Sequence, residues 1–456
     1  MANTTAVRKA TITNRNKGKV REIINPPIKD ISKKIVKAGI HPNRVKEMLE
    51  TGSLIREEYN NFKKYYNVKY VDADSIVEVK LNSKKNMPLR AYFAKKIHDY
   101  LNYDSRVVLS SEDIQFYHKQ LPFIIEMVIC IQYYHNQILD GKAGVTHQDA
   151  ISKNLLIANL LKEQLYKYIT DRLGTRSNLV KEYVIQMFEF VDYGQLVEQH
   201  FNRYQNFKEN KFPKSFLDEK FLIPQDIEDK LLKTLKYPKE KKTFLKWYLQ
   251  RIYMTSAGLF LLTTKLILQL CKKENKSLTR FATLYGINLQ LVNDNCDFVP
   301  SKHNQTTKDK IATDAFSDLR NSNVTLPTFI RLTSGKNESI IYFLEQKPKR
   351  MTTRWEDKLF KDIVDSGAMA TSMALTKLFA KAAYNCLPND NPHTWAFKDM
   401  TQIARFNRYY YYFKNPVEEF SFFQKFNIAI GALGEFVKHI FIAIEFGLTK
   451  QPVPMV

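Results

Sequence analysis

Two stretches of the chain end in clustered oxygen-bearing side chains. The first runs from Glu126 to Asp140 and is apolar until it closes on His135-Asn136-Gln137 and Asp140. The second runs from Gly286 to Asp297 and closes on Gln290, Asn293, Asp294 and Asp297. On a helix, Asn136 and Asp140 share a face, as do Asp294 and Asp297. Oxygen ligands at the ends of two apolar helices suit Mg²⁺, a hard cation, and helical proteins build such sites from facing helices. The metal set defined this way is Asn136, Asp140, Asn293, Asp294 and Asp297, with Gln290 one turn before Asp294. Asp294 and Asp297 can put two charges on one ion, whereas Asp140 stands beside neutral amides, so Asp294 is expected to matter more. Taken singly, each residue has a plainer role: Asp140 as a helix-end polar group, Gln290 as a satisfied core amide, His135 as a core histidine. The joint order carries the reading.

From about residue 85 to 330, that order resembles the trans-polyprenyl diphosphate synthases of the isoprenoid synthase fold. The family has two DDxxD motifs on facing helices, with a Glu nine residues before a His that directly precedes the first. Glu126 and His135 keep that spacing, and the motif stands here as Asn136-Gln137-Ile138-Leu139-Asp140. The second family motif reads Gly-x-x-Phe-Gln-x-x-Asp-Asp-x-x-Asp. Gly286, Gln290, Asp294 and Asp297 match it, Leu289 replaces the Phe, and Asn293 replaces the first Asp. Asp318-Leu319-Arg320-Asn321-Ser322-Asn323-Val324-Thr325-Leu326-Pro327 corresponds to the family's Asp-Leu-x-x-Gly-Lys-x-Thr-Leu-Pro, and Gly194-Gln195 to its Gly-Gln pair.

The resemblance implies an all-α bundle around a central cavity and Mg²⁺-dependent chemistry on allylic prenyl diphosphates, with Asp140, Asp294, Asp297 and Gln290 as its catalytic set. It also implies that Lys85 and Arg90 are the remnant of a segment whose cations hold a diphosphate, although a basic helix N-terminus explains them as well. Lys142 stands near the family's Arg pair, and His147 in its Thr-x-His element. Gln195 belongs to the Gly-Gln pair, and Ile131 and Gln132 occupy the positions that set pocket depth. Family members are usually homodimers, so a homodimer, or a heterodimer with a related subunit, is implied. The family's Lys-Thr pair falls on Thr255-Ser256, so its lysine is missing. Lost anions weaken Mg²⁺ binding and lost cations weaken diphosphate binding. Three readings stay open: an active, divergent prenyltransferase or class I terpene synthase, a catalytically silent member that binds lipid or a partner subunit, and an unrelated function with chance helical similarity. Asn293-Asp294 resembles the start of the second metal motif in terpene cyclases, but the Glu expected downstream is absent and position 301 is Ser.

Helices must position these groups, and the composition supplies them. The chain has 456 residues, 44% hydrophobic, with only 14 Gly. That is enough for one large helical domain with additions. Residues 1–22 read as a disordered basic tail, 23–83 as an N-terminal helical extension, and 84–456 as the isoprenoid-synthase-like domain with an insertion at about 203–243. Helices are expected near 28–39, 43–66, 89–100, 113–140, 149–173, 178–200, 225–235, 244–272 and 278–298, then a polar loop at 299–312 and four or five helices in 328–456. Tyr409 to Tyr412 read as helix packing. The net charge of +23 comes from scattered lysines and reads as a solvated surface rather than a nucleic-acid footprint, while membrane-surface contact stays open. The four cysteines make no CxxC pair and fit a reducing cytoplasm. The apolar runs 121–134, 256–271 and 436–448 are each interrupted by charge or too short to span a bilayer.

Overall fold

Apolar residues recurring at helical spacing become helices wherever the computed structural model describes the chain. The described residues are 42–72, 75–82, 88–103, 109–139, 148–209, 217–234, 239–298, 316–335, 338–346, 352–388 and 391–401. The basic tail, the 28–39 helix, Lys85, Asp140, Lys142, His147, the whole of the 299–312 loop and everything after 401, including Tyr409 to Tyr412, lie outside them. The helices of eight residues or more are α1 (Pro42–Tyr65), α2 (Leu89–Leu101), α3 (Leu121–Leu139), α4 (Gln148–Arg172), α5 (Ser177–Phe201), α6 (Gln225–Thr234), α7 (Lys239–Ile252), α8 (Gly258–Leu270), α9 (Lys276–Cys296), α10 (Leu326–Thr333), α11 (Glu338–Gln346), α12 (Thr353–Asp365) and α13 (Ala368–Tyr384). A further helix begins at 393 and runs to 401, where the described residues end. Most boundaries fall within a residue or two of the sequence expectation. Two helices expected to be continuous are not: a π-helical turn at Phe116–Gln120 precedes α3, and another at Tyr253–Ala257 separates α7 from α8.

The bundle is built around α9, which packs on α13, α8 and the second π turn. Its residues are buried on nearly every side from Phe281 to Leu289, the pattern of a helix enclosed by others. On the other flank, α5 packs on α8, α7 and the same π turn, and α3 packs on α4 and α2. The π turn is thus held between α5 and α9, and glycines permit the approach from both sides. A Cβ added to Gly194 of α5 would meet Thr255 Cγ2 at 2.6 Å, and one added to Gly286 of α9 would fall on the Ala257 backbone. Where α2, α8 and α9 meet, the interior is filled by rings: Phe93 lies 4.9 Å from Phe260 and 5.7 Å from Tyr285, centroid to centroid.

The N-terminal helix α1 is part of this core. Its Val45, Met48, Ile55, Tyr59 and Phe62 are buried, and Tyr92 of α2 donates a hydrogen bond to Glu47 at 2.7 Å. The 203–243 segment forms short helices, with α6 within the range expected for it, and inserts Phe207 against Phe244 at 5.3 Å and Phe329 at 6.0 Å. An isolated antiparallel bridge, Arg203 to Asn323, ties its start to the segment before α10.

The stretch Lys241–Leu270 departs from the sequence expectation. Counted across the π turn it is 30 residues of mean hydropathy 1.2 in its most apolar window, long and apolar enough to cross a membrane. In the structure 83% of that window is buried inside the bundle, as befits a core helix.

The Gly286 contact is with backbone, which no rotamer change can relieve. Gly286→Ala is therefore expected to lower stability by about 1–3 kcal/mol, the usual range for overpacking, read as a lower denaturant midpoint at unchanged slope.

Candidate active site at the end of the bundle

The acidic end is assembled from four elements. On α5, Gln195 and Glu198 stand one turn apart and point to the two motif helices in turn. Gln195 donates its amide to Asn136 Oδ1 of α3. Glu198 accepts from Arg251 Nη1 at 3.2 Å and from Asn323 Nδ2 at 2.7 Å. Arg251, near the end of α7, then reaches Asp294 on α9: its Nη2 lies 2.6 Å from Asp294 Oδ2. Tyr248, one turn earlier, donates to the same oxygen at 2.8 Å, and Gln290 donates to Oδ1 at 2.7 Å. The first and second motif helices are thereby joined through α5 and α7.

Asp294 is enclosed, with its side chain 1% exposed. Burial pushes its carboxyl above the usual carboxylate range, while Arg251, Tyr248 and Gln290 pull it back. Burial opposes the charge on Arg251 as well, but the Asp294 and Glu198 carboxylates outweigh it and keep the guanidinium protonated. Asp297 has a different task. It accepts from the Ser317 amide at 2.9 Å, the Ser317 hydroxyl at 2.8 Å and the Asp318 amide at 3.1 Å. It thus serves as an acceptor for the free N–H groups of the short Ser317–Arg320 turn. Burial raises Asp297 to about 6 despite these bonds. Asp318 is raised well above its ordinary value, by burial first and then by the carboxylates of Asp297, Asp294 and Glu198. Four acidic groups therefore crowd one end of the bundle, and Arg251 contacts two of them.

The sequence-derived residues divide accordingly. Asp294, Asp297, Gln290, Gln195 and Asn136 are brought to this end, and Asn293 lies beside them on α9. Asp140, Lys85, Lys142 and His147 lie outside the described residues. Arg90 sits on α2 with its guanidinium 5.9 Å from the Phe260 ring centroid, and its Nε makes no hydrogen bond among the described residues. Ile131 is buried, and Gln132, also buried, lies 3.4 Å from Asp192 through its amide. Glu126 accepts from the Ala91 amide at 3.0 Å and so caps α2, whose own N-cap residue, Pro88, makes no side-chain bond. The Glu nine residues before His135 therefore has a structural reason. Burial lowers His135.

Glu198, Tyr248 and Arg251 were missed by sequence reasoning. The signal for Arg251 is a basic residue set in an apolar helical run, one turn before the Thr255 that occupies the family's Lys-Thr position. A cation is present at this end after all, displaced by one turn. Ser322 stands where the family has Gly, and its φ of +58° is left-handed. The turn has kept the glycine's conformation without the glycine.

No protein-family model matches the chain, and no curated protein sequence does. Solved structures do. A polyprenyl synthase from Caulobacter crescentus CB15, complexed with calcium and isoprenyl diphosphate, superposes with a TM-score of 0.54 at 14% identity, covering 83% of this chain and 98% of that one. The fold is that of the polyprenyl synthases. A geranylgeranyl pyrophosphate synthetase from the archaeon Geoglobus acetivorans gives 0.52 at 14% identity, covering 79% of this chain and 98% of its own. A geranylgeranyl pyrophosphate synthase from Lactobacillus brevis ATCC 367 gives 0.52 at 13%, covering 80% and 97%. The polyprenyl synthase fold thus spans nearly the whole of each of those proteins, at identities that speak to fold alone.

Breaking a buried ion pair from one side strands the other charge. Arg251→Met is expected to destabilise by about 3–5 kcal/mol, and Arg251→Met with Asp294→Leu to recover most of it, both measured by denaturant unfolding. Ser322→Gly removes the left-handed strain and is expected to stabilise by about 1 kcal/mol, read in the same unfolding experiment.

Proposed function

We propose that this protein is a divergent polyprenyl-synthetase-like protein of isoprenoid biosynthesis, a Mg²⁺-dependent class I transferase or terpene synthase acting on allylic prenyl diphosphates. The observation that carries this reading is the carboxylate excess at the end of α5 and α9. The charges of Asp297, Asp294 and Glu198 raise the proton affinity of Asp318, and the charge of Glu198 raises that of Asp294; a divalent cation is the species that relieves such crowding. Mg²⁺ would be held chiefly by Asp297, Asp318 and Asp294, with Asn293, Asn136 and Asp140 as further oxygen donors. When bound it supplies Lewis-acid stabilisation of a departing diphosphate. The protein's own part is to exclude water with the buried α3, α8 and α9 faces and to present Arg251 to negative charge. The crystallised Caulobacter relative by fold, in complex with calcium and isoprenyl diphosphate, supports the same assignment.

A second reading has its own observation. Arg251 already occupies Asp294, so the second motif also works as a structural ion pair, which suits a catalytically silent subunit that binds a lipid or a partner. Association with a second copy or a related chain is part of both readings. It is supported by Leu155, Leu156 and Leu160 on α4, which are 46%, 60% and 39% exposed. The free thiols and the charge of +23 fit a cytoplasmic protein that can approach anionic membrane surfaces.

The two readings separate on turnover. Diphosphate release from geranyl, farnesyl and geranylgeranyl diphosphates is expected to require Mg²⁺, and Asp297→Asn to lower it ~100-fold or more, given the several kcal/mol that a catalytic metal contributes. Wild type that releases no diphosphate from any of them, yet binds a prenyl diphosphate or a partner chain as tightly as Asp297→Asn does, establishes the silent subunit instead.

A further inference from the structure

A separate cluster of ligand-type side chains lies at the opposite end of α3. The acidic end involves Asn136, near the C-terminus of that helix. His118 lies in the π-helical turn before its N-terminus, and the helical path from His118 to Asn136 separates the two by about 27 Å.

His98 and Asp99 come from the last turn of α2 and meet His118 there. One ligand atom from each of the three lies within 4.8 Å of the others. Asp99 Oδ1 is 3.2 Å from His118 Nε2 and 3.9 Å from His98 Nδ1, whereas its Oδ2 is 3.2 Å from Lys96 Nζ. The carboxylate thus gives one oxygen to an ammonium and turns the other to two imidazoles. The side chain of His98 is 1% exposed, and neither of its ring nitrogens has a hydrogen-bond partner among the described residues. Its ring stacks on Tyr117 at 3.9 Å between centroids, which fixes the ring plane. His118 Nε2 is near enough to Asp99 but not aligned for a hydrogen bond. A buried imidazole with both nitrogens unsatisfied is unfavourable unless something else binds it.

Around the cluster, Lys96 and Arg44 face the carboxylates of Glu47, Asp99 and Asp399. The side chain of His118 is 24% exposed, which gives an ion a route from solvent. The π turn is what aims His118 at α2, and insertions of this kind recur at functional sites.

We propose that His98 Nδ1, Asp99 Oδ1 and His118 Nε2 form a binding site for a zinc-class divalent transition-metal ion that clips α2 to the turn preceding α3. Two imidazoles and one carboxylate suit Zn²⁺ or Co²⁺ rather than Mg²⁺, which prefers oxygen alone. Metal–ligand bonds of about 2.0–2.2 Å would draw the three atoms to roughly 3.5 Å apart, a closure within reach of the partly exposed His118 side chain. The fourth position falls to water. Because Lys96 also pairs with Glu47 at 3.0 Å, the clip would extend to α1.

The test uses full-length protein treated with EDTA, then titrated calorimetrically with ZnCl₂ and spectroscopically with CoCl₂. Expected are one equivalent of tightly bound Zn²⁺, visible Co²⁺ absorption of a low-coordinate site, and no displacement by millimolar Mg²⁺. His118→Gln and Asp99→Asn are each expected to weaken Zn²⁺ binding at least about tenfold and to remove the Co²⁺ bands. His118 is partly exposed, so its variant is the one expected to fold and it decides the matter if Asp99→Asn does not. Absence of a Zn²⁺ equivalent in wild type overturns the proposal, as does unchanged Zn²⁺ affinity and an unchanged Co²⁺ spectrum in His118→Gln.

Discussion

A carboxylate as enclosed as Asp294 cannot carry its charge alone, and the end of the bundle is arranged around that requirement. Three donors on two helices converge on its two oxygens, and one of them, Arg251, is itself buried and needs a second anion. Glu198 supplies it from α5, and Asn323 steadies Glu198 in turn. The pair therefore fixes how α5, α7 and α9 sit relative to one another. Buried pairs of this sort add little net stability over an apolar replacement, yet removing one partner is severe. Their effect is to make one packing arrangement far better than its neighbours.

Backbone proximity makes that geometry reachable. The π turn at Tyr253–Ala257 lies against α5 through Gly194 and against α9 through Gly286. It begins two residues after Arg251 and so ends the segment of α7 from which the guanidinium emerges. A π turn adds a residue to the helical path, so the side chains after it are rotated relative to a continuous helix. The displaced cation and the missing family lysine are thus connected: Thr255 remains where the pattern puts it, packed on Gly194, while the charge comes from one turn earlier.

Much of this was legible in the sequence, for physical reasons that differ by residue. Apolar periodicity located the helices because burial on one face is what makes them stable. Gly286 and Gly194 were legible because no other residue fits where backbones cross so closely. The π turns were not, since an extra residue barely alters a 3.6-residue period over one turn. Arg251 was not, because a lone basic residue in an apolar run looks the same whether it reaches solvent or a buried carboxylate. The integration of α1 was hidden likewise: Val45, Met48, Leu49 and Ile55 read as one face of an amphipathic helix, and nothing in their spacing says which surface they cover. Ser322 is the opposite case, in which the backbone kept a conformation that the residue no longer favours.

The same acidic end must satisfy two opposing demands. Arg251 brings one positive charge to a cluster of four acids, burial raises Asp297 to about 6, and Asp318 is held well above its ordinary value. A carboxyl raised above its unfolded value of about 3.8 favours the folded state below that value, and this contribution fades as pH rises through about 6. As pH rises through about 6 Asp297 gives up its proton, and the cluster becomes more charged and less self-sufficient. The Mg²⁺ proposed above would gain from that change, because it binds carboxylates in their deprotonated form. Arg251, Tyr248 and Gln290 together hold Asp294 and keep the helices in place. Arg320 offsets part of the charge on Asp297, and protons or the Mg²⁺ proposed above would neutralise what remains, in a balance that shifts as pH passes about 6.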